Sequence, residues 1–246
     1  MIIDSHMHIG ASHVTDSEYT EDQWLEIMDR LGLDAVICLP LAEAKPSPKA
    51  MHDRVHKFAQ DNPGKVFGIA EVNPRWEEKE YKDEVNRCIN DLGFVGLKIH
   101  PLLHGVNPAA KFSRKTFEIA NDLNIPVIVH TGSGVPFALP SAIIPRAKEF
   151  PKLKIILAHS GMSFYNAEAV QVAGMFDNVY LESSWNPVHK IRGMIKAVGV
   201  DRVMMGSDHP TNIRIELEKS KDLNLEPSEL ERYLSGTARE VFQLNI

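Results

Sequence analysis

Short apolar runs alternate with longer stretches of helical periodicity along the whole chain. The apolar runs are rich in Val, Ile, Leu and Met, and they do not alternate strictly between apolar and polar residues. Such runs, each followed by an amphipathic helix, are typical of a parallel sheet that is covered by helices. The predicted strands are residues 1–9, 34–40, 65–72, 93–100, 126–131, 154–160, 178–183 and 202–208.

This alternation predicts an α/β fold, a single (β/α)8 TIM barrel. Eight strand–helix units in 246 residues are near the lower end of the size range of such barrels. A doubly wound open sheet is the alternative. We find no linker, repeat or low-complexity tract, so we expect one domain over residues 1–246 without a separate cap domain. Two helical stretches after the eighth strand, 212–223 and 226–244, are predicted to close the barrel.

The formal net charge of −6 argues against a general nucleic-acid binder, which usually presents a basic surface. No apolar run approaches the roughly 20 residues that cross a bilayer. Because the N-terminus has no basic leader and passes directly into a strand, we expect a cytoplasmic protein without membrane association. Cys38 and Cys88 are predicted to be reduced packing residues. A homodimer is one expected assembly, although no surface stripe requires it.

The first predicted strand, "MIIDSHMHIG", carries an acid and two histidines at alternate positions. Residues two apart in a strand share a face, so Asp4, His6 and His8 are expected to point the same way. Burying these polar groups together costs several kcal/mol, about 2–7 for each unpaired group, unless something satisfies them. A metal ion would do so, with the two imidazoles as ligands and Asp4 accepting an imidazole N–H.

Polar and titratable residues also stand at the ends of the other predicted strands. A barrel places its chemistry at the carboxyl ends of its strands, so these residues are expected to meet on one rim. A single histidine at a strand end is more often structural, and Asp208 alone would suit a helix N-cap or an Asx-turn. Their joint occurrence indicates a metal site. The strand-end residues are His6, His8, Glu71, Asn73, Lys98, His100, His130, His159, Glu182 and Asp208.

The segments "DSHMH", "GLKIHP", "VIVHTG", "LAHSG" and "MMGSDHP" together resemble the amidohydrolase superfamily, specifically its amidohydrolase-related branch. The resemblance covers the whole chain and implies a TIM barrel with a divalent metal, first zinc and otherwise manganese. It implies that His6, His8, His130 and Asp208 are the ligands. Asp208 and His159 are then the expected catalytic residues. One ion is expected, and a second ion held by His159 and Lys98 is the alternative.

Lys98 has three alternative roles. The resemblance implies a carboxylated lysine that bridges two metals, or a lysine that holds a substrate carboxylate. A barrel-lining lysine paired with Glu71 or Glu182 is the structural alternative. His100 and Trp185 are further expected substrate contacts, although the turn after His100 and rim packing at Trp185 explain them equally well. Asn186 and Arg146 complete the residues considered near the substrate.

The implied function is a metal-dependent hydrolase that uses metal-activated water on a small ester, lactone or amide. The alternative is a metal-dependent decarboxylase of a small unsaturated or aromatic carboxylate, because the same ligand set serves both reactions. A metal-dependent deoxyribonuclease also begins D-x-H-x-H, but "GIAEVNP" and "GSDHP" match its later motifs poorly. A non-catalytic metal-binding barrel is the remaining alternative. Small-molecule substrates are therefore expected, and nucleic acid is not.

Overall fold

The structure is a computed structural model that describes residues 1–12, 16–41 and 48–246. Parallel strands alternate with helices, as the sequence predicts, and one short antiparallel strand, β2 (Ser17–Tyr19), is added to the first strand. The parallel strands are β1 (Ile3–Ser12), β3 (Ala35–Pro40), β4 (Val66–Gly68), β5 (Ala70–Glu71), β6 (Leu97–Ile99), β7 (Val127–His130), β8 (Ile155–Ala158), β9 (Val179–Glu182) and β10 (Val203–Met204).

Two sheets, in the orders β2-β1-β3-β4 and β10-β9-β8-β7-β6-β5, are joined at both edges. At one edge, β4 and β5 are the two halves of the third predicted strand, and Ile69 between them donates its N–H to Cys38 O at 2.9 Å. At the other edge, Ser5 N–H donates to Met205 O at 3.1 Å, and Met7 bridges to Asp208. The predicted TIM barrel is confirmed, and the open-sheet alternative is not what the chain forms.

Helices follow the strands and cover the barrel. The first helix shows why they form where they do: Thr20 and Gln23 make a capping box at its start, and Gly32 ends it with φ of 69°. The helices are α1 (Glu21–Leu31), α2 (Pro48–Asp61), α3 (Glu78–Asn86), α4 (Pro101–His104), α5 (Arg114–Asp122), α6 (Ile144–Glu149), α7 (Met162–Met175), α8 (Val188–Val198), α9 (Ile213–Lys221), α10 (Pro227–Glu231) and α11 (Thr237–Val241). Within the described ranges, none of them has the length and apolar character that a membrane span needs.

The barrel interior has an apolar floor and a polar mouth. Ile69 and Ile128 belong to a buried cluster with Phe242 from the end of the chain. Residues two apart on a strand share a face, so Glu71 and His130 follow these isoleucines on the inward side, nearer the carboxyl ends of the strands. This pattern carries the titratable side chains to the rim at which a barrel places its chemistry.

A buried hydrogen-bond cluster around Glu84 lies between α2 and α3, behind the end of β5. His52 Nδ1 is 2.7 Å from Glu84 Oε1, and His52 Nε2 accepts the backbone N–H of Glu71 at 3.0 Å. Arg87 donates to both Glu84 oxygens at 2.8 and 2.9 Å. Burial opposes ionisation of Glu84, but the hydrogen bonds from His52 and Arg87 lower its pKa to about 2. This cluster therefore ties two helices to the strand end that carries Glu71.

We expect Glu84→Gln to lower the free energy of unfolding at pH 7 by about 2–4 kcal/mol, because His52 and Arg87 lose their charged partner. The pKa of Glu84 is lower in the folded chain than its ordinary value of 4.5, so its stabilisation is complete above pH 4.5 and is lost as pH falls towards 2. Urea unfolding should therefore show a smaller difference from wild type at pH 3 than at pH 7. Exposed Glu78→Gln serves as the control, and an equal loss at both pH values would contradict this account.

Candidate metal centre and active site

Three side chains converge at the edge where the barrel closes. The Nε2 atoms of His6 and His8 lie 3.1 Å apart, and Asp208 Oδ1 is 3.3 Å from His8 Nε2 and 3.8 Å from His6 Nε2. Asp208 is brought there by the main chain, since its N–H donates to His6 O at 2.6 Å. These three residues form one group that could hold a metal ion. The structure thus brings together three of the four predicted ligands.

The hydrogen-bond partners of Nδ1 in His6 and His8 determine which ring nitrogens carry lone pairs. His6 Nδ1 is 3.1 Å from Glu182 Oε2, and His8 Nδ1 is 3.3 Å from Pro40 O. Both partners are acceptors, so each Nδ1 carries the proton and each neutral ring has a lone pair at Nε2. Two lone pairs that face each other across 3.1 Å, with a carboxylate beside them, are the kind of donors that bind a cation. The donor set therefore fits a divalent metal ion.

Lys98 places a positive charge against this group. Its Nζ lies 3.2 Å from His6 Nε2, and the residue is 1% exposed. In the described part of the chain it forms no ion pair with Glu71 or Glu182, contrary to the structural alternative. Burial lowers the pKa of Lys98, and the more distant charges of Glu71 and Asp208 oppose this shift. The buried Lys98 amine therefore lies directly beside the converging group, against His6 Nε2.

Glu182, at the end of β9, contacts the His6 imidazole directly and the His159 imidazole through Ser184. Its Oε2 faces His6 Nδ1 at 3.1 Å and accepts the N–H of His159 and the hydroxyl of Ser184, both at 2.9 Å. Its Oε1 accepts the Ser184 N–H at 2.6 Å. Sequence reasoning noted Glu182 but gave it no role at the metal site. The available signal was a carboxylate inside the apolar run "VYLES", which needs buried partners.

Gly206, the glycine of "MMGSDHP", lies against the carboxylate of Glu182. A Cβ atom at this position would lie 2.7 Å from Glu182 Oε1 and 3.0 Å from its carboxyl carbon. The Glu182 carboxylate cannot withdraw without losing its hydrogen bonds. The absence of a side chain at Gly206 is therefore what admits the carboxylate that orients His6.

We expect Gly206→Ala to lower the free energy of unfolding by about 1–3 kcal/mol, because the added methyl group overpacks a buried site. The matched control is Gly193→Ala in α8, where a Cβ meets nothing within 4 Å. That control should be neutral or should stabilise the helix by up to about 1 kcal/mol. Urea unfolding of both variants measures the difference. Equal effects of the two substitutions would show that the contact with Glu182 does not matter.

A row of neighbouring imidazole rings begins at His6 and continues through His159, His130 and His100. The ring centroids of His6 and His159 are 4.8 Å apart, those of His159 and His130 are 4.9 Å apart, and His100 stacks on His130 at 4.0 Å. Ser184 Oγ donates to Glu182, so it accepts from His159 Nδ1 at 2.7 Å, which leaves a lone pair on His159 Nε2. Burial lowers the pKa of His159 well below its usual range, with His6 and His130 adding to the shift.

His130 lies beside the converging group rather than in it. Its Nε2 is 3.0 Å from Ser133 O. Within the described ranges, His130 does not belong to any group of side chains that lie close enough together to share one metal ion. Burial, together with the charge of Lys98, lowers its pKa to about 4. His100 also caps α4, with Nδ1 accepting the Leu103 N–H at 3.4 Å. The assignment of His130 as a ligand and His100 as a substrate contact therefore stays a prediction.

Three residues have partners that sequence reasoning did not anticipate. Asp4 accepts the backbone N–H groups of His6 and Ser207, at 3.1 and 2.9 Å, rather than an imidazole N–H. Burial raises the pKa of Asp4 to about 7. Arg146 is buried and donates to the carbonyls of residues 108–110, so it fastens a loop to α6 instead of facing a substrate. Asn186 donates to His159 O at 2.7 Å and so supports the site from behind.

A family model described as Amidohydrolase matches residues 3–244, so the chain belongs to the amidohydrolase family. This assignment confirms the resemblance inferred from the sequence and places the chain in a family of enzymes. No curated protein matches the chain in sequence.

Solved structures of the same fold cover nearly the whole chain. A dihydroxybenzoic acid decarboxylase from a Polaromonas species, with bound manganese and 2-nitroresorcinol, is 17% identical, with a TM-score of 0.76 and coverage of 100% of this chain and 97% of that one. The 5-carboxyvanillate decarboxylase of Sphingomonas paucimobilis is 13% identical, with a TM-score of 0.81 and coverage of 99% of both chains. The 4-oxalomesaconate hydratase of Rhodopseudomonas palustris is 18% identical, with a TM-score of 0.75 and coverage of 99% of this chain and 96% of that one.

These likenesses support the TIM-barrel fold, and the converging side chains support metal binding. At such identities they do not transfer a reaction. Zinc as the metal, a cytoplasmic location, a homodimer and the extent of one domain over residues 1–246 stay predictions.

Proposed function

We propose that the protein is a metal-dependent decarboxylase of a small aromatic or unsaturated carboxylate. The observation that carries the proposal is the buried amine of Lys98 beside the proposed metal ligands, without a carboxylate within ion-pair distance in the described ranges. A site of this charge suits a substrate that brings its own carboxylate. Two of the similar structures are named decarboxylases and the third a hydratase, which supports this alternative better than the hydrolase expected first.

His6, His8 and Asp208 would hold one divalent ion, with His130 as the predicted further ligand. When bound, such an ion stabilises the negative charge that develops on substrate oxygen atoms. Manganese is the ion to test first, because the Polaromonas decarboxylase is named with it. The alternative of a second ion, held by His159 and a carboxylated Lys98, would give two ions per chain and extra mass on the lysine.

Decarboxylation breaks the bond between carbon and the carboxylate, the electron pair stays on carbon, and a proton takes the vacated position as carbon dioxide leaves. Asp208 is placed to move that proton. Burial opposes ionisation of Asp208, but the nearby imidazoles of His159, His6 and His8 hold its pKa well below the usual range. Its carboxylate can therefore accept a proton from an acidic hydroxyl of the substrate and return it to carbon.

The other residues bind and orient. The Lys98 ammonium attracts the anionic substrate into a buried site, where a charge pair is stronger than in water. His159 keeps a lone pair on Nε2, because Ser184 engages its Nδ1. The stacked rings of His100 and His130 form an aromatic wall beside it, which suits a flat substrate.

The test is a substrate screen with the manganese-loaded protein. Hydroxylated benzoates, unsaturated dicarboxylates, lactones and small esters are supplied separately, and carbon dioxide and released acid are measured independently. We expect carbon dioxide from at least one carboxylate and no turnover of the neutral lactones and esters. Hydrolysis of a lactone or ester without carbon dioxide release would contradict the proposal and support the hydrolase instead.

A further inference from the structure

We propose that Trp185 is a positioning residue for Asp208 and that Glu216 holds Trp185 in place; this inference rests on the proposed metal site. The indole Nε1–H of Trp185 donates to Asp208 Oδ2 at 2.8 Å. The other oxygen, Oδ1, is the one that faces His8 at 3.3 Å and His6 at 3.8 Å. The indole thereby leaves one defined carboxylate oxygen for the metal group.

The indole is the donor that fixes this carboxylate. His209 Nε2 also approaches Asp208 Oδ2, but at 3.6 Å it is beyond hydrogen-bond distance. The His209 ring instead packs edge-on against Trp185, with centroids 5.5 Å apart, and Tyr19 OH lies 2.8 Å from its Nδ1. Trp185 is 36% exposed, and its indole is held at the rim by contacts with the Asp208 carboxylate and the His209 ring.

The backbone of Trp185 is held in an unfavourable conformation. Its φ is 63°, in the left-handed region that side chains other than glycine rarely adopt. Glu216 Oε1, from α9, accepts the Trp185 backbone N–H at 2.9 Å, and Glu216 is fully buried. Lys219 lies 2.5 Å from the second Glu216 oxygen and donates to Asn186 O at 2.8 Å. A buried ion pair thus secures the turn that presents the indole.

The same carboxylate also supports the loop that carries Asp208. Asn212 donates to Glu216 Oε1 and to Ser207 O, both at 2.9 Å. Asp208 follows directly, with φ of 69°. Glu216 is therefore connected to both loops, the one after β9 with Trp185 and the one after β10 with Asp208. This arrangement sets the distance between the indole and the carboxylate that it orients.

Outer partners that orient a metal ligand typically change metal affinity by about 10–100-fold when they are removed. The Trp185→Phe substitution keeps an aromatic ring but removes the N–H donor, together with part of the ring surface. The Glu216→Gln substitution keeps the size but puts an amide N–H₂ against either Lys219 or the two N–H donors. Both should let the Asp208 carboxylate rotate. Phe164→Leu is the matched control, because Phe164 is 90% exposed on α7 at the same end of the barrel.

The experiment titrates Mn²⁺ into metal-free protein, without substrate, and follows it by calorimetry and by the electron paramagnetic resonance spectrum of bound Mn²⁺. We expect Trp185→Phe to bind about 10-fold more weakly with an altered spectrum, Glu216→Gln to weaken binding several-fold, and Phe164→Leu to stay within about twofold. Circular dichroism tests whether each variant is folded. If Trp185→Phe does not fold, Glu216→Gln tests the inference in its place.

Wild-type affinity and an unchanged spectrum in both variants would overturn the inference and leave the proposed function intact. Equal weakening by Phe164→Leu would also overturn it, since the effect would then not depend on the indole N–H. A wild-type protein that binds no Mn²⁺ would overturn this inference together with the proposed metal site. Failure to release carbon dioxide, with these Mn²⁺ affinities as expected, would overturn only the proposed reaction.

Discussion

Asp208→Asn is expected to lower kcat for the carboxylate substrate by about 10³-fold or more, while the barrel stays folded. Proton transfer by a positioned side chain contributes about 10²–10⁴-fold to rate, and an amide can neither accept nor return the proton. The substitution also removes the negative charge that faces His6 and His8 at 3.8 and 3.3 Å. The effect should therefore exceed that of a lost hydrogen bond alone.

The measurement is the rate of carbon dioxide release, with metal content determined on the same samples. Asp61→Asn, at an exposed ion pair with Lys57 on α2, is the matched control and should retain wild-type turnover. Loss of turnover with the metal retained would identify Asp208 as the group that moves the proton. Retention of more than about a tenth of the activity would show that another residue performs this step, because general acid–base catalysis accounts for at least about 10²-fold.

Glu182→Gln is expected to weaken metal binding by about 10–100-fold and to lower the free energy of unfolding by about 3–5 kcal/mol. The carboxylate receives four donors, three at Oε2 and one at Oε1. An amide has only one oxygen, so either orientation directs its N–H₂ against a buried donor. His6 then loses the partner that keeps the proton on Nδ1 and the lone pair on Nε2.

Urea unfolding and Mn²⁺ titration measure the two effects independently. Glu80→Gln, on the exposed side of α3, is the control and should change neither. Weakened metal binding at unchanged stability would mean that Glu182 acts mainly through His6. If Glu182→Gln matches the control in both assays, the orientation of His6 does not depend on this carboxylate.

The barrel was predictable because its signal repeats locally along the chain. Each apolar run precedes an amphipathic stretch, and this pattern alone indicates parallel strands with crossover helices. The same logic placed His6, His8 and Asp208 on one rim, since the carboxyl ends of parallel strands meet. Two details were not visible: the break at Ile69 between β4 and β5, and the short antiparallel strand β2. Both depend on how the closed barrel curves, rather than on any single segment.

The orientation of the side chains in the site was not predictable, because it is set by contacts between residues that are distant in sequence. The bond from His6 to Glu182 spans 176 positions in the sequence. The bond from Trp185 to Asp208 depends on two residues with positive φ, which no local pattern announces. The sequence alone therefore indicates only rim packing or a substrate contact for Trp185. It suggests a place near the substrate for Arg146 for the same reason, since the carbonyl partners of Arg146 belong to a loop that is remote in sequence.

The most direct test of the proposed metal centre is the anomalous diffraction of crystals grown with Mn²⁺, recorded on either side of the manganese edge. We expect one strong manganese peak per chain, in contact with His6 Nε2, His8 Nε2 and Asp208 Oδ1. A manganese peak elsewhere, or none at these residues while the protein in solution binds Mn²⁺, would contradict it.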